Sequence, residues 1–313
     1  MPSKTTLSQS RPRRNAFAVA VWWVQRQREE WVRIGLVLGI VAAFVALAVP
    51  ARALQVRLSP SNPQLGDTIS LLIEQNPSIS RTPTVKMAQR TYPTFVTSSG
   101  KFRALLPTSP LDRPGTAQIQ VEAEGDVKNI AVPLRNRSFP TQRIRLTGAA
   151  GAKATQHELD RVAAFKNLET PEKYWNGPFV KPNNGRISAG YGIRRYYNGV
   201  FAKDYYHRGV DYAGGMGSPV VAPAAGRVAL VGRLSEGFRV HGNTVGIDHG
   251  QGVTSIMMHL SRIDVREGQM VQPGQRIGAI GSTGASTGPH LHWGLYVHGI
   301  SVDPAPWREK GFE

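Results

Sequence analysis

The chain has 313 residues, no cysteine and a formal net charge of +17. Without cysteine there are no disulfides, thiolate metal sites or cysteine nucleophiles, so any metal must rest on His, Asp or Glu. The length suits about two domains, and the positive charge is spread along the chain without a nucleic-acid motif, so DNA and RNA are set aside in favour of a polyanion such as a cell wall or an anionic membrane face.

The first 33 residues are basic, with Arg11, Arg13, Arg14, Arg26, Arg28 and Arg33. An uncharged run, IGLVLGIVAAFVALAVP from Ile34 to Pro50, follows, and then Ala51-Arg52-Ala53. A basic start, an apolar core and a small-x-small site describe an export signal cleaved after Ala53. The apolar run is only slightly short of a full span, so retention of residues 34–50 as a membrane anchor is the alternative. In both cases the basic end stays inside, and the rest of the chain is exported to a periplasm, a cell wall or the medium.

Residues 54–150 predict a small β-sandwich of immunoglobulin-like type. LQVRLSP alternates apolar and polar, GTAQIQVEAEG alternates from Ala117 to Ala123, and KNIAVPLRN follows. No chemistry is evident there, which suits a spacer or binding module. Residues 151–176 predict a linker helix. Leu159, Val162 and Phe165 recur at helical spacing, and Thr170-Pro171 ends the run. From Gly177 to the end, short β-branched runs between glycine turns predict an antiparallel β-domain, so the fold class is mainly β.

The histidines carry the chemistry. In GPHLHWG, His290 and His292 stand two apart, and on a strand that spacing puts both on one face with Leu291 and Trp293 on the other. In YYHRGVDYAG, His207 and Asp211 stand four apart, again one face of an extended chain. Catalytic zinc takes three protein ligands and leaves a position open. His207, Asp211 and one histidine of the 290/292 pair would complete such a set. Imidazole nitrogen favours zinc over magnesium, and zinc would polarise a carbonyl and acidify a water. The other histidine of the pair and His259, at the end of the apolar run TSIMMHL, are candidates for the acid–base work. No H-E-x-x-H motif is present to supply a glutamate base. His157 reads as an exposed helix residue, and His241, His249 and His298 read as turn residues.

His207-x-Gly209-x-Asp211, the HLS at His259 and GSTGASTGPHLHW from Gly281 to Trp293 together resemble the LytM/lysostaphin-type zinc endopeptidases of family M23. The likeness extends through YGIRR (Tyr191 to Arg195), SPVVAPAAGRV (Ser218 to Val228), GNTVGIDHGQG (Gly242 to Gly252) and VQPGQRIGAIG (Val271 to Gly281), and spans residues 177–309. The resemblance implies a two-layer antiparallel β-sheet peptidase domain over residues 177–313, with a groove for an extended peptide walled by Gly214 to Ser218 and Gly281 to Gly288. It implies His207, Asp211 and His292 as zinc ligands and His259 and His290 as the catalytic pair around the attacking water. The implied substrate is the peptide moiety of peptidoglycan. A wall-associated activator of other hydrolases and a secreted peptidase of glycine-rich proteins are the alternatives. The family also uses a tyrosine upstream of the first ligand, and Tyr196, Tyr197, Tyr205 and Tyr206 all stand near that place. Met257 occupies a position that is aromatic in many members.

Overall fold

The computed structural model describes residues 54–74, 81–146 and 151–312. The export signal or anchor expected in residues 1–53 lies outside them. Residues Leu54–Glu313 form one compact unit. Among the described residues, no helix is long and apolar enough to cross a membrane.

The first half is a sandwich of two four-stranded sheets. One runs Gln55–Ser59, Thr68–Glu74, Phe102–Pro107, Phe95–Val96, and the other Arg90–Tyr92, Thr84–Met87, Gly115–Ala123, Asp126–Leu134. The alternation read in the sequence is the burial pattern observed: Ile119, Val121 and Ala123 point inward while Gln118 and Glu122 are exposed. These side chains meet Ile69, Leu71, Ile73, Val85 and Leu106 in a single apolar cluster. The long hairpin turns through Glu124 and Gly125, both at positive φ (49° and 86°), as a two-residue turn matching the strand twist requires.

After the sandwich the chain does something that alternation did not foretell. Thr141–Ile144 pairs in parallel with Arg194–Tyr197, which pairs in turn with Val200–Phe201. The chain thus lays a strand beside the later region before the helix begins.

That helix is Gln156–Lys166, capped by the Thr155 hydroxyl, which accepts the Glu158 N–H at 3.1 Å. It ends well before Trp175, and its buried face differs from the expected one. Glu158, Val162 and Phe165 are buried, while Leu159 is 49% exposed. Positions 158, 162 and 165 follow the i, i+4, i+7 stripe of a helix. Val162 and Phe165 pack on Leu230, Phe238, Ile256 and Tyr296, and Glu158 earns its place through polar contacts described below.

The second half is built on a ten-stranded sheet, antiparallel throughout. Its main path runs Arg186–Ala189, Val210–Ala213, His290–Val297, Val253–Ile263, Asn243–Gly250, Gly226–Gly232, Met270–Val271. Ile300–Val302 joins His290–Val297, and Arg276–Ile280 joins Val253–Ile263 and Pro219–Val221. The central strands are buried almost end to end, with Leu291, Trp293, Leu295 and Val297 all at 0% exposure. The C-terminal helix Pro304–Glu309, capped by Asp303, inserts Trp307 into the core. The two halves are latched together. Trp307 Nε1 donates to Thr68 Oγ1 at 3.0 Å. Buried Arg103 donates to Gln251 Oε1 and lies 5.2 Å from the Trp175 ring centroid.

Candidate metal centre and catalytic cleft

Strand register assembles the site. In the antiparallel pair Val210–Ala213 with His290–Val297, Asp211 stands opposite His292. On the far side of that strand, Met258 stands opposite His292 as well. His207 approaches from the extended segment just before Val210. Gly209 makes the approach possible: a Cβ there would stand 2.3 Å from the Trp293 carbonyl oxygen and 2.7 Å from His292 Nε2.

Three ligand atoms converge. His207 Nε2 lies 3.0 Å from Asp211 Oδ1 and 3.1 Å from His292 Nδ1, and His292 Nδ1 lies 2.8 Å from Asp211 Oδ1. His207 Nδ1–H donates to the Gly190 carbonyl at 2.7 Å. With its Nδ1–H anchored there, the ring points Nε2 toward the other two ligand atoms, and this backbone anchor is the outer support that metal-ligating histidines use. Zinc stands ~2.0–2.2 Å from nitrogen and oxygen ligands, so donors around it are roughly 3.3 Å apart. The trio is within a few tenths of an ångström of that spacing, and two imidazoles with one carboxylate are a zinc set.

The electrostatics agree. Burial alone would raise the Asp211 carboxyl, but the His207 and His292 rings packed beside it outweigh that and hold the group well below the usual carboxylate range. Burial pushes His292 down to about 4. Asp211 Oδ2 also has the Arg195 guanidinium 3.7 Å away.

His259 and His290 form a second pair beside the first, with ring centroids 4.8 Å apart. His290 Nδ1–H donates to the Gly288 carbonyl and His259 Nδ1–H to the Thr283 carbonyl, each at 2.8 Å. Nε2 is left as the free basic nitrogen of each ring, and His290 Nε2 is 4.0 Å from Asp211 Oδ1. Burial, reinforced by the neighbouring histidines, pushes His259 down to about 3, so it stays neutral at ordinary pH. His259 and its neighbour Met258 both line the cleft, which a regular strand forbids. The break is the His259 backbone, at φ +64°. A non-glycine residue in that region costs of order 1–3 kcal/mol and needs support.

The cleft around these groups encloses about 680 Å³. Its walls include Ala285, Thr287 and Gly288 from the glycine-rich loop expected there, and also Gln142, Ile144 and Leu146 from the segment after the sandwich. Of the four tyrosines left open by the sequence, Tyr197 and Tyr205 line the cleft. Tyr206 is buried with its hydroxyl on the Ser301 carbonyl at 3.1 Å, and Tyr196 stacks on Phe201. Burial and the neighbouring Tyr197 raise the Tyr205 hydroxyl, which remains a donor.

The bland histidines divide. His157 is exposed on its helix and His298 sits in a turn, both as expected, although His298 is buried and bonded to Glu169. His249 is not a turn residue. It ends a buried strand, donates from Nδ1 to the Ala225 carbonyl at 2.8 Å and accepts from Ser255 Oγ at 2.9 Å, and Ser255 in turn accepts the Trp293 N–H. His241 sits in a turn, as expected, but it also lines the cleft, which the sequence did not signal. His241 meets Glu158 from 83 residues away and His249 meets the Ala225 carbonyl from 24 away, separations that leave no local pattern.

Residues 205–304 match the model of Peptidase family M23. An uncharacterized metalloprotease of Haemophilus influenzae is 43% identical over 105 residues, 34% of this chain and 22% of that protein. The peptidoglycan DD-endopeptidase ShyA of Vibrio cholerae is 40% identical over 118 residues, 38% of this chain and 26% of that protein. The chain thus spans about a quarter of the length of these relatives. A solved structure from Pseudomonas aeruginosa assigned to peptidase M23 aligns over 82% of this chain and 97% of its own, with a TM-score of 0.60 and 26% identity. That alignment reaches beyond the matched segment into the sandwich half. Residues 205–304 of the chain thus form a segment that matches peptidase family M23.

Proposed function

We propose that this chain is a zinc-dependent endopeptidase that hydrolyses peptide bonds in bacterial peptidoglycan. The observation that carries the proposal is the meeting of His207, Asp211 and His292 with His259 and His290 in one cleft. The likeness to the peptidoglycan DD-endopeptidase of Vibrio cholerae supports the substrate class.

In this reading His207 Nε2, Asp211 Oδ1 and His292 Nδ1 hold zinc. Bound there, zinc supplies Lewis acidity toward a peptide carbonyl. Asp211 cancels part of the ion's charge, and Arg195 holds the carboxylate's outer oxygen. The free Nε2 of His290 or His259 takes the proton from the attacking water, and the imidazolium so formed returns it to the departing amine. The anchors on Thr283 and Gly288 fix each ring so that Nε2 and not Nδ1 does this work. Tyr197 and Tyr205 are placed to donate to the oxygen on which charge develops. The enzyme acts outside the cytoplasm, exported through residues 1–53, and residues 34–50 anchor it to the membrane if they are retained. Residues 54–150 form the leading module, 151–176 the linker and 177–313 the peptidase domain.

Digestion of purified sacculi, with zinc analysis of the same preparation, tests this. New peptide ends in the released muropeptides and one zinc per chain are expected. Uncut sacculi beside a cleaved glycine-rich peptide would shift the substrate to extracellular protein. Neither product, with zinc bound, would leave the chain without this activity.

A further inference from the structure

Glu158 is a fully buried carboxylate on a helix that precedes the matched family segment. Its Oε2 accepts the Arg239 N–H at 3.0 Å, and its Oε1 accepts the N–H groups of Val240 at 3.0 Å and His241 at 2.7 Å. His241 Nδ1–H adds a fourth donor at 2.6 Å. Three successive backbone N–H groups closing on one anion make a nest, and it fixes the loop's conformation. Burial alone would raise the Glu158 carboxyl, but the contacts with His241 and Val240 outweigh it and keep the group ionised.

The loop so fixed holds His259. The His241 carbonyl accepts the His259 N–H at 3.0 Å, at the residue whose backbone sits at φ +64°. The Val240 carbonyl accepts the Ala285 N–H at 2.9 Å. Thr283 Oγ1 accepts the Asn243 N–H at 2.9 Å, and the Thr283 carbonyl takes the His259 Nδ1–H at 2.8 Å. There is no slack between these segments: a Cβ on Gly242 would stand 2.5 Å from Thr283, and one on Gly284 would stand 2.6 Å from the Val240 carbonyl oxygen. Both supports of His259, backbone and ring, therefore run through a loop seated on Glu158.

We infer that Glu158 is a positioning residue for His259, so that the helix ahead of the family segment is part of the working site. The kinetic half of this inference rests on the endopeptidase reading. The structural half, that Glu158 holds the His259 backbone, does not.

The test compares wild type, Glu158→Gln, Glu158→Ala and Leu159→Ala, the last an exposed neighbour on the same helix. Amide exchange in the metal-free proteins is read first. In Glu158→Ala the amides of His241 and His259 exchange at least about tenfold faster, a loss of local protection of about 1.4 kcal/mol, while those of Ile247 and Leu295 in the sheet are unchanged. Unchanged exchange at His259, or equal acceleration at Ile247 and Leu295, overturns the inference. With zinc loaded, kcat on sacculi falls about 10- to 100-fold, with KM and zinc content unchanged, Glu158→Gln lying between wild type and Glu158→Ala. A fall in kcat that only follows lost zinc, or an unchanged kcat, overturns it as well. If Glu158→Ala does not fold, Glu158→Gln, which keeps an acceptor for the loop, is read in the same two ways. Wild type that fails to cut sacculi defeats the proposed function and leaves the exchange result to decide this inference.

Discussion

The sandwich and the C-terminal sheet are built from the same alternation and treat their buried polar groups in opposite ways. In the sandwich these groups bind loop backbone, within one turn at Asp67 and across from a neighbouring strand at Thr108. Asp67 accepts the Gln64 N–H at 3.0 Å, and Thr108 Oγ1 accepts the Gly66 N–H at 3.0 Å while donating to the Asp67 carbonyl at 2.8 Å. In the C-terminal half they are side chains that converge on one another across the sheet, so that the neighbours His207 and Asp211 meet His292, and His259 meets His290. A buried polar group whose bonds all go to backbone reports on the fold. Buried side chains that converge their acceptor atoms on one another form a group suited to holding a cation, because burying them without a shared partner is costly.

The largest effect that would break this contrast lies at the donor set. His207→Ala or Asp211→Ala is expected to lose zinc and, since a Lewis acid contributes several kcal/mol, to lower cleavage at least about a thousandfold. Metal analysis and muropeptide release measure both, and a variant that keeps stoichiometric zinc would remove that residue from the set. Next comes the sandwich core. Ile119 is 1% exposed, and Ile119→Ala is expected to cost about 2–5 kcal/mol in denaturant unfolding with kcat per folded molecule unchanged. A fall in kcat would show that the two regions are not separable in function.

His249 offers a third, smaller test. Burial pushes it down to about 4 in the folded chain, against roughly 6.5 when unfolded. The unfolded chain therefore binds the extra proton, and the contribution present above pH ~6.5 is lost as pH falls toward ~4. The difference between wild type and His249→Gln in unfolding free energy should shrink by about 3 kcal/mol over that window. A flat difference would mean that His249 is protonated in the folded state. The smallest effect is at Leu159, 49% exposed, where alanine should change stability by no more than about 0.5 kcal/mol.

Much of the site was legible because its geometry is local. The two-residue spacing of His290 and His292 put both on one face, and Leu291 and Trp293 lie in the core as that spacing required. The four-residue spacing of His207 and Asp211 likewise survives in space, at 3.0 Å. The strand Gly115–Ala123 was visible for the same reason, since period-two alternation is written in adjacent positions. What escaped was set at a distance. Glu158 looks like a solvated helix residue until the loop at 239–241 closes on it. His249 looks like a turn residue until Ser255 and Trp293 enclose it. The pairing of Thr141–Ile144 with the later region was not visible, because its partner lies some fifty residues on. Helix length was overread for a related reason: apolar residues beyond Lys166, such as Leu168 and Trp175, pack on the core from extended backbone.

The division of labour in the cleft is tested most directly by zinc content and sacculus cleavage in His290→Ala and His292→Ala, measured side by side. His290→Ala should keep one zinc per chain and lose cleavage by about 10²–10⁴-fold, while His292→Ala should lose zinc and cleavage together. Loss of zinc from His290→Ala, or a full complement of zinc in His292→Ala, would contradict it.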